Sequence, residues 1–532
     1  MQPAPSDEHG VVTLDGSFTD PGAQDRHQVT VDWGDGSAPE LHTIAAGGRS
    51  FAVEHRYLDD PAEGDAYTVT AVLADDDRGT ASRAADAAVR NVAPSGVTLE
   101  PLEIVAAEGD PPAGGPVDVT EGAIVTYGID FADPGMLDTH SVTVDWGDGD
   151  ASQTVEVGAE TRHVELPHRF LDDGTFDVRV TVGDDDGDEG AATSPVHVRN
   201  VAPEVTAALD HHDLVEGDGV RLEGSIKDPG LLDSHTVVID WGDGRGSADR
   251  YQTVDVAAGD RTFAAEKPYG DDGRFTIAPE ATDDDGGVGR AALTLEVANA
   301  GPTAAIDQAG SVETPGGRTF VARAGRDLEL RAQTTDRGSD DLRSTWTWRD
   351  GATTATDYLA APPAADPDPS PQVGPRDLVD ARRHAWSDPC LYEDVAVGVG
   401  DDDGGSAGDA VDVVVTGTAT RVEGAGSWQQ EYDPRRAPQV PLGCYRQIVG
   451  QMSAVFDAGV NAYEVLKLGG GTSEAEKLDR ELLTGWLNFA DGALDYGAIA
   501  ATMRAAEATR LDPNATAKDL QTARQEVQRV TG

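Results

Sequence analysis

Apolar and polar residues alternate in short stretches over most of this chain, and the same stretches return about every hundred residues. Val29, Val31 and Trp33 alternate with polar neighbours, and Val142, Val144 and Trp146 repeat the pattern. A period of two marks a strand with one buried face. Further strands are expected at residues 67–72 and 176–182, each preceded by an aromatic corner. The corners are His55-Arg56-Tyr57, His168-Arg169-Phe170 and Pro268-Tyr269. The first strand of each set runs into an Asp-Gly turn, a strong hairpin signal. These turns read Val31-Asp32-Trp33-Gly34-Asp35-Gly36, Val144-Asp145-Trp146-Gly147-Asp148-Gly149 and Ile239-Asp240-Trp241-Gly242-Asp243-Gly244. A worn fourth copy reads Thr347-Trp348-Arg349-Asp350-Gly351. A repeat this long means tandem domains, because solenoid units run roughly 20–50 residues.

Offsets within the copies separate a rigid side from a variable one. Asp-Pro-Gly begins at Asp20, Asp133 and Asp228, 13 residues before each Trp, and Asp336 precedes Trp348 by 12. An Asp-x-His begins 8 residues before the Trp at Asp25, Asp138 and Asp233. Aspartate triplets begin at Asp75, Asp184, Asp283 and Asp401, which lie 42, 38, 42 and 53 residues after the Trp. Constant spacing implies fixed structure and variable spacing implies loops of changing length on a common frame. The joints Arg90-Asn91-Val92-Ala93-Pro94, Arg199-Asn200-Val201-Ala202-Pro203 and Asn299-Ala300-Gly301-Pro302 are short and contain Pro, as in a semi-rigid rod.

From about Gly424 the period becomes helical. Tyr445, Ile448, Val449, Met452, Val455, Phe456 and Tyr463 share one helical face, and Gly469-Gly470-Gly471 is expected to stop that helix. Ser473 and Glu476 form a capping box for the next helix, whose apolar stripe is Leu478, Leu482, Leu483, Trp486, Leu487 and Phe489. Two more helices are expected near residues 494–510 and 516–530. Four amphipathic helices with short loops read as a small bundle. The fold class is therefore mainly β, tandem β-sandwiches followed by a small all-α bundle. The units divide as residues 9–93, 94–202, 203–301, 302–420 and 421–532. Pro-rich inserts at residues 108–116 and 361–375 read as disordered loops.

Charge narrows the partners. The net charge of −57 lies almost wholly on the first 420 residues, since residues 421–532 carry 12 basic and 15 acidic side chains. Such a surface repels nucleic acid and anionic membranes and attracts cations. Only 5 lysines occur, and few Lys with many Asp fit a GC-rich genome, a salty habitat or calcium equally well. No apolar run of about 18 residues is present, so no segment inserts into a membrane. The residues after Met1 are polar and acidic, unlike a signal peptide, which leaves an intracellular protein or a piece of a longer secreted one. The repeats fit the second better. Two cysteines exclude a disulfide framework and a Cys-based zinc site. Cys390 and Cys444 are either one bond or two buried thiols.

The Trp-Gly-Asp-Gly turn, the His-x-aromatic corner and the closing Asp-Asp-Asp-Gly resemble the polycystic-kidney-disease (PKD) domain family. The resemblance covers roughly residues 9–420, closely in the first three copies and loosely in the fourth. It implies an Ig-like sandwich found on cell surfaces and in secreted bacterial proteins. There such domains act as spacer, adhesive module or binding accessory to a hydrolase. The helical segment resembles, more distantly, modules that end large secreted bacterial surface proteins.

The aspartates admit three readings: solvated turns, calcium sites or acid/base machinery. Calcium takes six to eight hard oxygens, and close-packed carboxylates repel without a cation. The loop before the Trp strand and the loop after the last strand can meet at one end of a sandwich. Some PKD domains similarly place calcium between these loops. The candidate ligands are Asp20, Asp25, Asp75 and Asp76 in copy one, and Asp133, Asp138, Asp184 and Asp185 in copy two. In copy three they are Asp228, Asp233, Asp283 and Asp284. Copy four keeps Asp336 and Asp401. His27, His140 and His235 recur with the fold and are expected to make a structural hydrogen bond. His211-His212-Asp213 is isolated and reads as surface. A catalytic carboxylate pair need not recur in each copy, and no nucleophile elbow, zinc-protease helix or phosphate loop is present. Asn514-Ala515-Thr516 fits a glycosylation pattern that is frequent by chance.

The reading that results is a non-catalytic extracellular or cell-surface rod, monomeric and calcium-stiffened, that spaces or adheres. Its partner would be an extracellular protein or carbohydrate. The alternative is the accessory tail of a secreted hydrolase whose catalytic domain lies outside this chain.

Overall fold

A computed structural model describes residues 3–532 except 62, 63, 65, 106–117, 244–248, 361, 363–373 and 468–471. The two expected Pro-rich loops and the glycine triplet therefore lie largely outside the described residues. Four β-sandwich units follow one another, each with its own apolar core, and a helical domain closes the series.

The second unit shows the plan. One sheet runs in the order Asp118–Thr120, Glu189–Arg199, Gly174–Asp184, His140–Asp145, Gln153–Val157. The other runs His163–Arg169, Ile124–Ala132, Ser95–Val105. Pairing is antiparallel apart from Asp118–Thr120, which lies parallel to Glu189–Arg199. In the central pair Val142 faces Val182 and Val144 faces Val180, all fully buried, while the residues between them point outward. The alternation seen in the sequence is thus the inward face of one sheet.

Each residue of Trp-Gly-Asp-Gly has a task. Trp33, Trp146, Trp241 and Trp348 are at most 1 % exposed and stand between the sheets. Gly34, Gly147 and Gly242 have φ of 80°, 77° and 76°, and each lies against a backbone carbonyl that a Cβ would strike. A side chain there would be strained twice, by conformation and by contact. The next aspartate reaches the aromatic corner. Asp35, Asp148 and Asp350 bond the Nε2 of His55, His168 and His384 at 2.8, 2.6 and 2.7 Å. Each of these imidazoles stacks on its Trp, with ring centroids 4.7, 4.3 and 4.6 Å apart. Unit three has Lys267 in this place, nine-tenths buried and 2.8 Å from Asp243. The corner aromatic locks the turn from the other side. Tyr57 and Tyr269 donate their hydroxyls to the Trp33 and Trp241 carbonyls at 2.9 and 2.8 Å, and Trp386 donates its Nε1 to the Trp348 carbonyl at 2.9 Å. The worn fourth copy therefore keeps the same knot.

Among the described residues the C-terminal domain holds six helices where the periodicity suggested four. They are α1 (Ala425–Glu431), α2 (Leu442–Met452), α3 (Ala462–Leu466), α4 (Glu474–Ala490), α5 (Tyr496–Leu511) and α6 (Ala517–Thr531). The expected helix through Val455, Phe456 and Tyr463 breaks after Met452. Ser453 leaves helical geometry and its hydroxyl accepts from the Val455 and Phe456 amides while donating to buried Glu507. A hydroxyl that serves the backbone locally competes with helix continuation. The capping box at Ser473 and Glu476 is formed, and the whole apolar stripe of α4 is buried.

The helical domain is docked onto unit four. Val414 of unit four lies in the helical core, and Gln451 donates to Thr319 and Asp412 across the boundary at 2.7 and 3.1 Å. Cys390 and Cys444 form a disulfide joining unit four to α2, so the open question of the two cysteines resolves as a bond. Its closed loop of 54 residues corresponds to about 4 kcal/mol in the chain-entropy account. Reduction, or Cys390→Ser with Cys444→Ser, should lower the melting temperature of the helical domain and leave units one to three unchanged in differential scanning calorimetry. Tyr269→Phe strands a buried carbonyl and should cost unit three about 1–3 kcal/mol in urea unfolding.

Candidate metal centres at the domain junctions

The predicted aspartates gather at one end of each sandwich, where two loops are tied together by a repeated set of bonds. In Asp-Pro-Gly the aspartate accepts from the glycine amide two residues on. Asp20, Asp133 and Asp228 accept from Gly22, Gly135 and Gly230 at 2.9, 2.8 and 3.0 Å. Their second oxygen bonds the Nε2 of His27, His140 and His235 at 2.6, 3.1 and 2.8 Å, the structural role expected for these histidines. The glycine is required because a Cβ would strike the carboxylate of Asp25, Asp138 or Asp233.

Each aspartate of a triplet does something different. The first makes the turn: Asp184 accepts from the amides of Asp186, Gly187 and Asp188, and Asp75 and Asp283 do the same work. The second crosses to the other loop. Asp76, Asp185 and Asp284 accept from the amides of Arg26, Thr139 and Ser234 at 3.3, 2.9 and 3.0 Å, and Asp402 accepts from Asp341 at 3.0 Å. In units two to four the third, Asp186, Asp285 or Asp403, faces the preceding domain.

The preceding domain supplies the other half of the cluster. At the first junction Glu8, Asp59 and Asp60 of unit one meet Asp133, Asp138 and Asp186 of unit two. Carboxylate oxygens lie within 4.8 Å of one another in the sets Glu8/Asp133/Asp138, Glu8/Asp59/Asp60 and Asp59/Asp138/Asp186. One oxygen of Glu8 accepts from the Val92 amide in the linker at 2.7 Å, and the other is buried without a hydrogen-bond partner. Asp138 is fully buried, neither of its oxygens meets a donor, and the Asp59 carboxylate lies against it. The Met136 amide donates to the Leu58 carbonyl at 2.8 Å, which fixes the two domains against each other.

The same construction recurs twice. Glu121 accepts from Val201 at 2.8 Å and Glu216 from Ala300 at 2.7 Å, each leaving its second oxygen buried and unpartnered. Asp233 and Asp340 are at most 1 % exposed, again with both oxygens unpartnered. Asp172 and Asp173 face Asp233 and Asp285 across the second junction, and Asp271 faces Asp340 across the third, with Asp272 beside Glu216 of its own unit. In unit one Asp25, Asp76 and Asp77 come together.

Burial and mutual repulsion disturb these groups strongly. Burial, with Asp59, Glu8 and Asp133 beside it, pushes the Asp138 carboxyl up to about 9. Burial raises Glu8 to about 7 against the opposing Val92 bond, and raises Asp186 to about 7 next to Asp60. Glu121 rises to about 8, Asp233 to about 7, Glu216 to about 7 and Asp340 to about 9, each chiefly by burial. Groups that resist ionisation at neutral pH and converge from two domains are suited to a cation. The donors are all hard carboxylate oxygens, the set that calcium prefers.

Of the aspartates expected as ligands, Asp133, Asp138, Asp228 and Asp233 lie in the clusters, while Asp184, Asp185, Asp283 and Asp284 tie the loops. Sequence reasoning missed Glu8, Glu121 and Glu216, the Asp pairs, Asp186 and Asp285, and Asp340 in unit four. A signal was present: Asp59-Asp60, Asp172-Asp173 and Asp271-Asp272 each begin two residues after the corner aromatic.

Comparison with known proteins gives one family match and several low structural likenesses. The PKD domain family model matches residues 108–199. These residues form a PKD domain. Units one and three carry the same Trp-Gly-Asp-Gly knot as this PKD unit, and unit four a variant of it. No curated protein sequence matches the chain. Among solved structures, a tetra-tandem repeat from the extending region of a large adhesion protein aligns with 76 % of this chain and 94 % of its own length, at 16 % identity and TM-score 0.34. A Ca²⁺-stabilised adhesin with which an Antarctic bacterium binds ice aligns with 76 % and 94 %, at 14 % identity and TM-score 0.19. The PKD domain of an M14-like peptidase from a Thermoplasmatales archaeon aligns with 19 % and 99 %, at 17 % identity and TM-score 0.16. These likenesses are low overall, so the argument for function rests on the residues.

The carboxyls have a consequence for pH. In metal-free protein Glu8 and Asp138 hold protons up to about pH 7 and 9, whereas an unfolded chain releases them near about 4. The folded state binds more protons across that window, so its stability falls as pH rises through it. Chelated protein should therefore melt lower at pH 8 than at pH 5.5. Asp138→Asn, which removes a buried charge and keeps the shape, should raise the melting temperature of chelated protein at pH 8 by scanning calorimetry.

Proposed function

We propose that this chain is a non-catalytic extracellular rod of PKD domains whose successive units are locked in line by calcium. Its role is to hold or extend an adhesive or binding partner at a distance. One observation carries the reading: the same buried cluster of carboxylates, half from each domain, stands at three junctions in a row. A catalytic site has no reason to recur in this way, whereas a joint must.

Glu8 and Val92, with their counterparts, put the linker itself in contact with the cluster. A cation there would fix the angle between neighbours as well as the loops of one domain. The fourth domain ends differently. Ala324 and Asp388-Pro389 occupy the places that the Glu and the Asp pair take in the other units. The disulfide and the apolar contact with the helices hold that boundary instead. A disulfide of this kind persists in an oxidising compartment, in accord with an extracellular setting.

The test is thermal unfolding and small-angle X-ray scattering in chelator, in 1 mM-scale calcium and in magnesium at equal ionic strength. A site filled to ten times its dissociation constant adds about 1.4 kcal/mol, or roughly 5–10 °C for a domain of this size. Calcium alone should raise the melting temperature and lengthen the particle to a single extended form. An equal response to magnesium would mean charge screening, and the aspartates would then be a solvated acidic surface.

A further inference from the structure

We infer that each of the three junctions between sandwiches holds two cations, bridged by the buried aspartate eight residues before the Trp, Asp138 at the first junction. The inference rests on the calcium reading above and concerns how that site is built.

At the first junction Asp138, like Glu8 and Asp59, belongs to two of the three sets of close carboxylates, and of these three only Asp138 has both oxygens buried without a donor. One of its sets is Glu8, Asp133 and Asp138, and the other is Asp59, Asp138 and Asp186. A calcium ion bound at about 2.3–2.6 Å spans oxygens no more than about 5 Å apart, so each set is the size of one ion's shell. Asp138 is fully buried, and neither of its oxygens meets a donor. A single ion bound through one oxygen would leave the other buried and unsatisfied, at a cost of at least 1–3 kcal/mol by the usual scale. A carboxylate that gives one oxygen to each of two ions has no such orphan.

Charge points the same way. Glu8, Asp59, Asp60, Asp133, Asp138 and Asp186 are six carboxylates, so one divalent ion leaves four negative charges in a buried joint and two ions leave two. The inner ion would sit on Glu8, Asp133 and Asp138, against the linker and the Asp-Pro-Gly loop. The outer ion would sit on Asp59, Asp138 and Asp186, with Asp60 beside it. Asp184 is occupied otherwise, by three backbone amides and the Asn91 side chain. The second and third junctions present the same bridging residue, Asp233 and Asp340, buried and with both oxygens unpartnered. Each also presents a linker-bound Glu with one oxygen free to bind, Glu121 and Glu216.

The experiment counts ions in the full chain. Chelated protein is dialysed to equilibrium against calcium, and bound metal is measured by mass spectrometry for wild type, Asp138→Asn, Asp186→Asn and Asp233→Asn. Near-ultraviolet circular dichroism of the buried tryptophans confirms that each variant is folded. Asp138→Asn and Asp233→Asn should each lose two ions relative to wild type, and Asp186→Asn one. Loss of only one ion, or none, from folded Asp138→Asn and Asp233→Asn overturns the bridged pair while calcium at the joints stands. Wild-type protein with no calcium above the dialysate overturns both.

Discussion

Carboxylates forced together where two domains meet are the constraint around which this array is organised. A group such as Asp138, buried without a donor, is unfavourable in either domain alone and becomes useful only in the joint. The surrounding hydrogen bonds serve to hold it there. Asp133 and its histidine shape one loop, Asp184 and the amides that follow shape the other, and Asp185 pins the two together. Gly122 carries this into the backbone, since a Cβ there would press on Pro229 of the next unit. The linkers are short because the domains touch, and the touching surface is the cluster itself.

The sandwiches supply a rigid support for these loops. Trp146 sits between the sheets, its glycine lies against the neighbouring strand, and His168 covers its ring while bonding Asp148. The knot fixes the far side of the same strand that begins at His140, beside the cluster. Core packing and the acidic end are thus joined by one six-residue strand. Lys267 shows which part of the knot is indispensable. It replaces the stacked imidazole and keeps the bond to the turn aspartate, so the turn needs a donor more than it needs a ring.

Two kinds of joint divide the chain. The first three boundaries are lined by buried carboxylates from both neighbours. The fourth, between unit four and the helices, is apolar and covalent, with Val414, Gln451 and the Cys390–Cys444 bond across it. The residues at the base of unit four change accordingly, Ala324 standing where the other units have glutamate. A chain built this way carries acidic joints along most of its length and holds its terminal domain by a separate apolar and covalent contact.

Local periodicity by itself determined the strands, the tandem copies, the Trp anchors, the capping box of α4 and the aspartate loops, because alternation and turn chemistry act over a few residues. It overran at α2, where Ser453 turns its hydroxyl to the backbone and to Glu507, a residue of α5 that no local pattern links to it. The two-domain character of the acidic clusters came only from the tertiary structure. Glu8 and Asp138 are 130 residues apart, and within its own domain each reads as an ordinary exposed acid. Only when the corner of one sandwich abuts the loops of the next are these groups stripped of water and brought within reach of one ion. Burial is a property of the assembled neighbours, and neither segment carries it alone.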